Sequence, residues 1–142
     1  MKGPQRRQCA DEADLSVYLR SSPIRETLGI HYLSAEAGKV TAEFSPGPGF
    51  TNANGTVQGG ILCAFLDHLM GQSGYSEVGS QERLTTVEIS LKFLESVRPG
   101  LLRGEGYVVK KGKTVLFVEG HIYNSEGRIA VKGSTSLFIS RP

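Results

Sequence analysis

The sequence predicts an α+β fold, an antiparallel β-sheet wrapped around one long central α-helix. Three observations carry that reading. The first is a single strongly apolar helical run inside Asn52–Gly74, with Ile61, Leu62, Phe65, Leu66, Leu69 and Met70 at i, i+1, i+4, i+5, i+8 and i+9. The second is a set of six strand-like segments, two before that run and four after it. The third is that the segments are joined by short Gly-bearing turns, as hairpins require. A helix that is apolar all round needs cover on every side, and a sheet folded about it supplies most of that cover.

At 142 residues, with 39% hydrophobic and 21% charged residues, the chain is long enough to bury a core as one domain. Residues 1–10 are polar and are expected to be tail; 11–20 (DEADLSVYLR) place acids first and Arg last, which suits a short helix. Ser22-Pro23 opens a second short turn ending at Gly29. The division is therefore a tail with short helices over 1–27 and a single domain over 28–142. Ile30–Ala35 and Lys39–Phe44 read as a hairpin joined at Glu36-Ala37-Gly38. Pro46, Gly47, Pro48 and Gly49 then break the chain before the central helix.

After the helix, Leu84–Leu94 alternates. Val87, Ile89, Leu91 and Phe93 fall on one side, with Thr86, Glu88, Ser90, Lys92 and Leu94 on the other. Leu101–Lys110, Thr114–Asn124 and Arg128–Ser140 follow, separated by Lys111-Gly112-Lys113 and Ser125-Glu126-Gly127. No repeat or low-complexity segment interrupts this order.

The composition narrows the function classes. A net charge of +2, with scattered basic residues, gives no stripe for nucleic acid. The first fifteen residues lack the apolar core of a secretory leader, and no run is long enough to span a membrane. Two cysteines make no disulfide framework, so the expected compartment is the reducing cytoplasm. His31, His68 and His121 are too dispersed for a metal site, and none is expected. Neither a P-loop, nor a dinucleotide fingerprint, nor a Gly-x-Ser-x-Gly elbow is present.

Two features do not belong in an ordinary buried helix. Gly59 and Gly60 occupy its first turn, where each Gly costs about 1 kcal/mol relative to Ala. Asp67 places a carboxylate in the middle of the apolar run, and such groups are rarely buried without a partner. Gly59 and Gly60 carry unpaired N–H groups at the positive end of the helix, a suitable place to hold an oxygen gaining charge. The plainer reading is that the glycines relieve crowding against the sheet, and that Asp67 is paired at an interface, with His68 a possible neighbour. On an ideal helix Gln58 and Asp67 stand ~13–14 Å apart along the axis and on opposite sides. Both can serve one site only if a second copy of the chain completes it, which predicts a two-fold dimer with two equivalent sites.

Gln58-Gly59-Gly60 followed by Asp67 resembles the hotdog-fold thioesterases of the PaaI type, over roughly residues 28–140. Their signature is His-Gly-Gly opening the central helix, with an acid nine residues after the His; here Gln58 replaces the His. The resemblance implies hydrolysis of an acyl-CoA, with the Gly59 N–H on the thioester oxygen and Asp67, from the neighbouring subunit, as general base or nucleophile. It also implies that Asn52 helps hold the substrate carbonyl or water and that Thr86 orients the water. No cofactor is implied beyond the CoA of the substrate, and the assembly implied is a homodimer or a dimer of dimers.

Gln58 cannot titrate near neutrality, so its expected work is orienting substrate. That departure keeps open an acyl-CoA binder without turnover, and a hydratase or dehydratase is disfavoured by the missing His. Gly60, Lys111 and Lys113 are expected at the substrate, the two lysines facing CoA phosphates. Leu66, Met70, Phe65 and Phe93 are equally readable as acyl pocket or core.

Overall fold

The computed structural model describes residues 15–142. Cys9 and the first part of the helix expected over 11–20 lie outside the described residues. The remainder of that segment corrects the expectation. Leu15–Tyr18 is one turn closed by the Tyr18 N–H on the Leu15 carbonyl. The chain then extends, because the Gln72 side chain takes both the N–H and the C=O of Arg20 at 2.8 and 2.9 Å.

Pro23–Leu28 forms α1, with Pro in its first turn and Gly29 ending it at φ 74°. The elements that follow are β1 (His31–Glu36), β2 (Lys39–Phe44), α2 (Gly59–Tyr75), β3 (Arg83–Phe93), β4 (Leu102–Lys111), β5 (Val115–Tyr123) and β6 (Ile129–Ser140). All six strands join one antiparallel sheet in the order β1-β2-β4-β5-β6-β3. This is the expected α+β fold, one sheet and one long helix. The edges of the sheet are β1 and β3.

Helix α2 lies against one face of the sheet. Leu62, Phe65, Leu66, Leu69 and Met70 are no more than 2% exposed. They meet Val40, Phe44, Leu102, Leu116, Val118 and Ile122 in one core cluster, with the Phe44 and Phe65 rings 5.0 Å apart. What sets the depth of that seat is a row of glycines. Gly106, Gly120 and Gly133 are register partners across β4, β5 and β6. A Cβ on Gly106 would sit 2.8 Å from the Leu69 carbonyl oxygen, and one on Gly133 would sit 2.7 Å from Leu66 Cδ2. A Cβ on Gly120 would meet both the Glu105 carbonyl and Leu66 Cδ1 at 2.7 Å. At Gly106 the helix backbone, and at Gly120 and Gly133 its Leu66 side chain, therefore lies where a strand side chain would otherwise stand.

Two departures from the sequence reading bear on function. The sheet covers only one side of α2: Gly60 is exposed, and Ile61, Cys63, Ala64, Asp67 and Gly71 are half-buried. Within one chain the apolar stripe is wider than its cover. Strand β3 also breaks its own alternation. Its register against β6 slips between Thr86 and Glu88, leaving Val87 as a bulged residue that is 67% exposed. The bulge resets the period, so Leu84 and Thr86 share the helix-facing side with Ile89 and Leu91. Thr86 thus faces the opposite way to the strict alternation.

Replacing Gly106 by Ala is expected to lower stability by about 1–3 kcal/mol, as overpacking does. A Cβ on Gly60 would have no neighbour within 4 Å, so Gly60→Ala is expected to cause no loss. Urea unfolding of both variants checks the contrast.

Candidate active site

Asp67 sits in the second half of α2, on the side the sheet leaves open. Among the described residues no hydrogen bond or ion pair engages its carboxylate. Burial raises its pKa above the usual carboxylate value. The Cys63 thiol, one turn earlier, is pushed up by burial and then by the charge of Asp67. An unpartnered, half-buried carboxylate with a raised pKa is suited to accept a proton near neutrality.

A cleft of about 380 Å³ opens at Asp67. Its floor is the α2 stripe Ala64, Asp67, His68, Gly71, Gln72 and Tyr75; one wall is residues 20–24 and the other is β3 with Leu84 and Thr86. The bulge at Val87 is what turns Thr86 into this cleft beside Asp67. Beneath them His68 is 8% exposed, and its Nε2 lies 2.6 Å from the Tyr32 hydroxyl. Burial, and then the nearby Arg25 charge, lower the His68 pKa to about 4. The Tyr32 hydroxyl is pushed up by burial to about 12. Both groups are neutral over the physiological range, so the floor beside Asp67 carries no second charge.

Gln58 and the glycine pair stand at the other end of the helix, about 12 Å along the axis from Asp67 to Gly59. Gln58 is the N-cap, exposed, and its side chain makes no cap bond. Its carbonyl receives the Ile61 and Leu62 amides, so the Gly59 and Gly60 N–H groups precede the first intrahelical bond. Neither glycine is required by packing within the chain. A Cβ on Gly59 would meet only the Phe93 ring, at 3.4 Å, and Gly60 has open space around it. Crowding against the sheet is thus not why they are glycine.

Asn52 serves its own loop. Its side-chain oxygen accepts the Asn54 and Thr56 amides at 2.9 and 3.2 Å, and its amide nitrogen donates to the Thr56 hydroxyl. The bridge between Thr51 and Val57 closes that loop and leads Gln58 into the helix. Lys111 donates to the Glu77 carbonyl beyond the C-terminus of α2. Lys113 lies in the adjacent β4–β5 turn, also at the far end of the helix from Gly59. The fold therefore brings Asp67 and Thr86 together and keeps Gln58, Gly59 and Gly60 apart from them. Residues that sequence reasoning left out are Gly71, Tyr75 and Arg20, and His68 entered it only as a possible partner of Asp67. A helical stripe drawn through Ala64, Asp67, Gly71 and Tyr75 could have signalled the floor of the cleft.

Comparison with known proteins gives the family. The thioesterase superfamily model matches residues 54–131, a span that contains the glycine turn, Asp67 and Thr86. The chain belongs to that superfamily. A curated protein of Saccharolobus solfataricus that carries a provisional esterase name is 26% identical over 125 residues, covering 88% of this chain and 89% of that one. Among solved structures, a protein from Ralstonia eutropha JMP134, described as related to phenylacetic acid degradation and provisionally as a thioesterase, is 25% identical with a TM-score of 0.79. That match covers 84% of this chain and 92% of the other. A Streptococcus mutans UA159 protein solved with acetyl CoA superposes with a TM-score of 0.73 at 22% identity, covering 79% and 89% of the two chains. The last likeness establishes the hotdog fold alone. Family membership supports thioester hydrolysis as the general chemistry. No described helix is long and apolar enough to cross a membrane.

The buried neutral His68 sets a stability prediction. Its folded pKa of about 4 lies below its ordinary 6.5, so the unfolded chain takes up the proton first. Stability is complete above pH 6.5, falls as pH drops toward 4, and the loss is complete below that. Its size is on the order of 3 kcal/mol. Denaturant unfolding at pH 7 and pH 4.5 is expected to show a larger acid loss in the wild type than in His68→Gln. The opposite-signed contribution of Asp67 is common to both proteins and cancels.

Proposed function

We propose that this chain is an acyl-CoA thioesterase that works as a two-fold dimer. The observation that carries the proposal is Asp67, a half-buried carboxylate with no partner among the described residues, on the face of α2 that its own sheet leaves uncovered. The half-buried Ile61, Cys63 and Ala64 beside it, and the exposed edge strand β3 with Val87 and Phe93, give a second copy apolar surface to cover. Antiparallel apposition of two α2 helices brings the glycine turn of one protomer to Asp67 of the other.

In that arrangement Asp67 takes a proton from water as its oxygen attacks the thioester carbon. The carbonyl electrons move onto oxygen, where the Gly59 N–H of the neighbouring protomer and the helix N-terminus hold the charge. Collapse breaks the C–S bond, and the departing thiolate recovers the proton from Asp67. The products are a carboxylic acid and CoA. Direct attack by the carboxylate to form an anhydride is the other route open to Asp67.

Thr86 orients the water, and the free amide of Gln58 orients the substrate without transferring protons. Gly60 leaves room for the thioester to approach the helix. Asn52 acts by holding the loop that delivers Gln58. Lys111 and Lys113 are the proposed cations for CoA phosphates, although no contact ties them to Asp67. The CoA and acetyl CoA found in the Streptococcus pneumoniae and Streptococcus mutans neighbours support a CoA ester as substrate.

Asp67→Asn is expected to lower kcat/KM for acyl-CoA hydrolysis by about 10³-fold or more while the oligomer stays folded, since the group acts in the transition state. Free-thiol release measures it, and undiminished turnover contradicts the mechanism. The wild-type rate should fall on the acid side at a pH above the ordinary carboxylate range, because protonation removes the base. Tight acyl-CoA binding with no thiol release would instead favour the non-catalytic binder that Gln58 leaves open.

A further inference from the structure

The cleft at Asp67 runs along α2 to Tyr75 and Arg20, and these two residues are tied to their surroundings. Tyr75 stands at that end, with its hydroxyl on the backbone of Leu84 at 3.3–3.4 Å. The Arg20 guanidinium covers the Tyr75 ring at 4.3 Å from its centroid. Arg20 in turn donates to the Glu82 and Gly79 carbonyls at 2.7 Å each, and Gln72 clamps its backbone from below. Both sides of the end wall are therefore tied, one to β3 and the other to the connector that follows α2.

The floor between Asp67 and this wall passes over Gly71. That glycine lies in the helix interior, where Gly costs about 1 kcal/mol relative to Ala. A Cβ there would find nothing within 4 Å. Packing does not require the glycine, and its effect is to deepen the groove at mid-length. Several polar groups along the cleft are engaged within the chain: Gln72 by the Arg20 backbone, His68 by Tyr32, and two N–H groups of the Arg20 guanidinium by carbonyls. The apolar part of the lining is Ile24, Ala64, Leu84, Leu137 and the Tyr75 ring, and Ser21, Ser22 and Thr86 stand among them.

We propose that this groove is a length gauge for the acyl group, floored by Gly71 and stopped by Arg20 stacked on Tyr75. The proposal rests on the thioesterase reading and adds the substrate class. From Asp67 to Tyr75 the helix rises about 12 Å. A saturated chain advancing about 1.2 Å per bond fills that length in roughly ten bonds. The acyl group is therefore of medium length and unbranched where it passes Gly71.

The test is a series of straight-chain acyl-CoAs from two to sixteen carbons, read both as kcat/KM for thiol release and as dissociation constants. The wild type should show a cut-off beyond about ten carbons, the chain that fills the groove. Arg20→Ala should raise the ratio for fourteen-carbon over eight-carbon acyl groups about tenfold or more, by opening the end. Gly71→Leu should lower the eight-carbon to two-carbon ratio about tenfold or more, by filling the floor. Leu is the better helix former, so a folding defect would not explain that result.

A wild type without a cut-off, or ratios unmoved in both variants, overturns the gauge. A cut-off that moves as stated in the dissociation constants, with no thiol released, upholds the groove and sinks the thioesterase reading. Thiol release with no dependence on chain length does the reverse.

Discussion

The close seat of α2 on the sheet is the constraint from which the rest of the molecule follows. Gly106, Gly120 and Gly133 form a row across three strands, and there the helix backbone at Leu69 and the Leu66 side chain come down onto the strands themselves. Leu66, Leu69 and Met70 then fill the space between, fully buried. A helix held this close on one side cannot be wrapped by the same sheet on the other. Its far side must be left to solvent, to ligand or to a second chain.

Everything pointing to chemistry lies on that far side. Asp67 is half-buried there with no partner among the described residues, and Thr86 is turned into the same cleft by the bulge at Val87. Burial keeps both His68 and Tyr32 beneath it neutral, so neither adds a charge to that floor. The glycine turn follows the same logic at the helix N-terminus, where nothing in the chain requires a missing Cβ at Gly60. Glycines of two kinds thus coexist in one helix-and-sheet unit. Those in the sheet are required by the helix and strand atoms packed on them, and those on the open face of the helix have no such neighbour among the described residues.

Much of the architecture was legible in the sequence because its signals are local. The helix declares itself by the 3.6-residue period through Ile61 and Met70, and the hairpins by Gly38 and Gly127, both at positive φ. Gln58, Gly59 and Asp67 were legible as a site because they contradict their surroundings. What could not be read depends on contacts between distant segments. The strand glycines look like weak points in β4, β5 and β6 until the helix is laid on them. The bulge at Val87 has no residue signature and reverses the face assigned to Thr86. The helix expected through Arg20 stops early because Gln72, 52 positions away, offers that backbone a better partner. Gly71 reads as a flaw in an apolar helix until the cleft above it is seen.

The central claim is that one site is shared between two chains, Asp67 from one and the Gly59 N–H from the other. Subunit complementation tests it most directly. Gly59→Pro removes the N–H at a position where proline is tolerated in a helix, and Asp67→Asn removes the base. Each variant alone is expected to be inactive. Mixed and allowed to exchange protomers, they should recover about a quarter of the wild-type rate, since half the dimers then hold one intact site of two. Two inactive variants that exchange protomers but recover no thiol release would place both groups in the same chain's site and contradict the account.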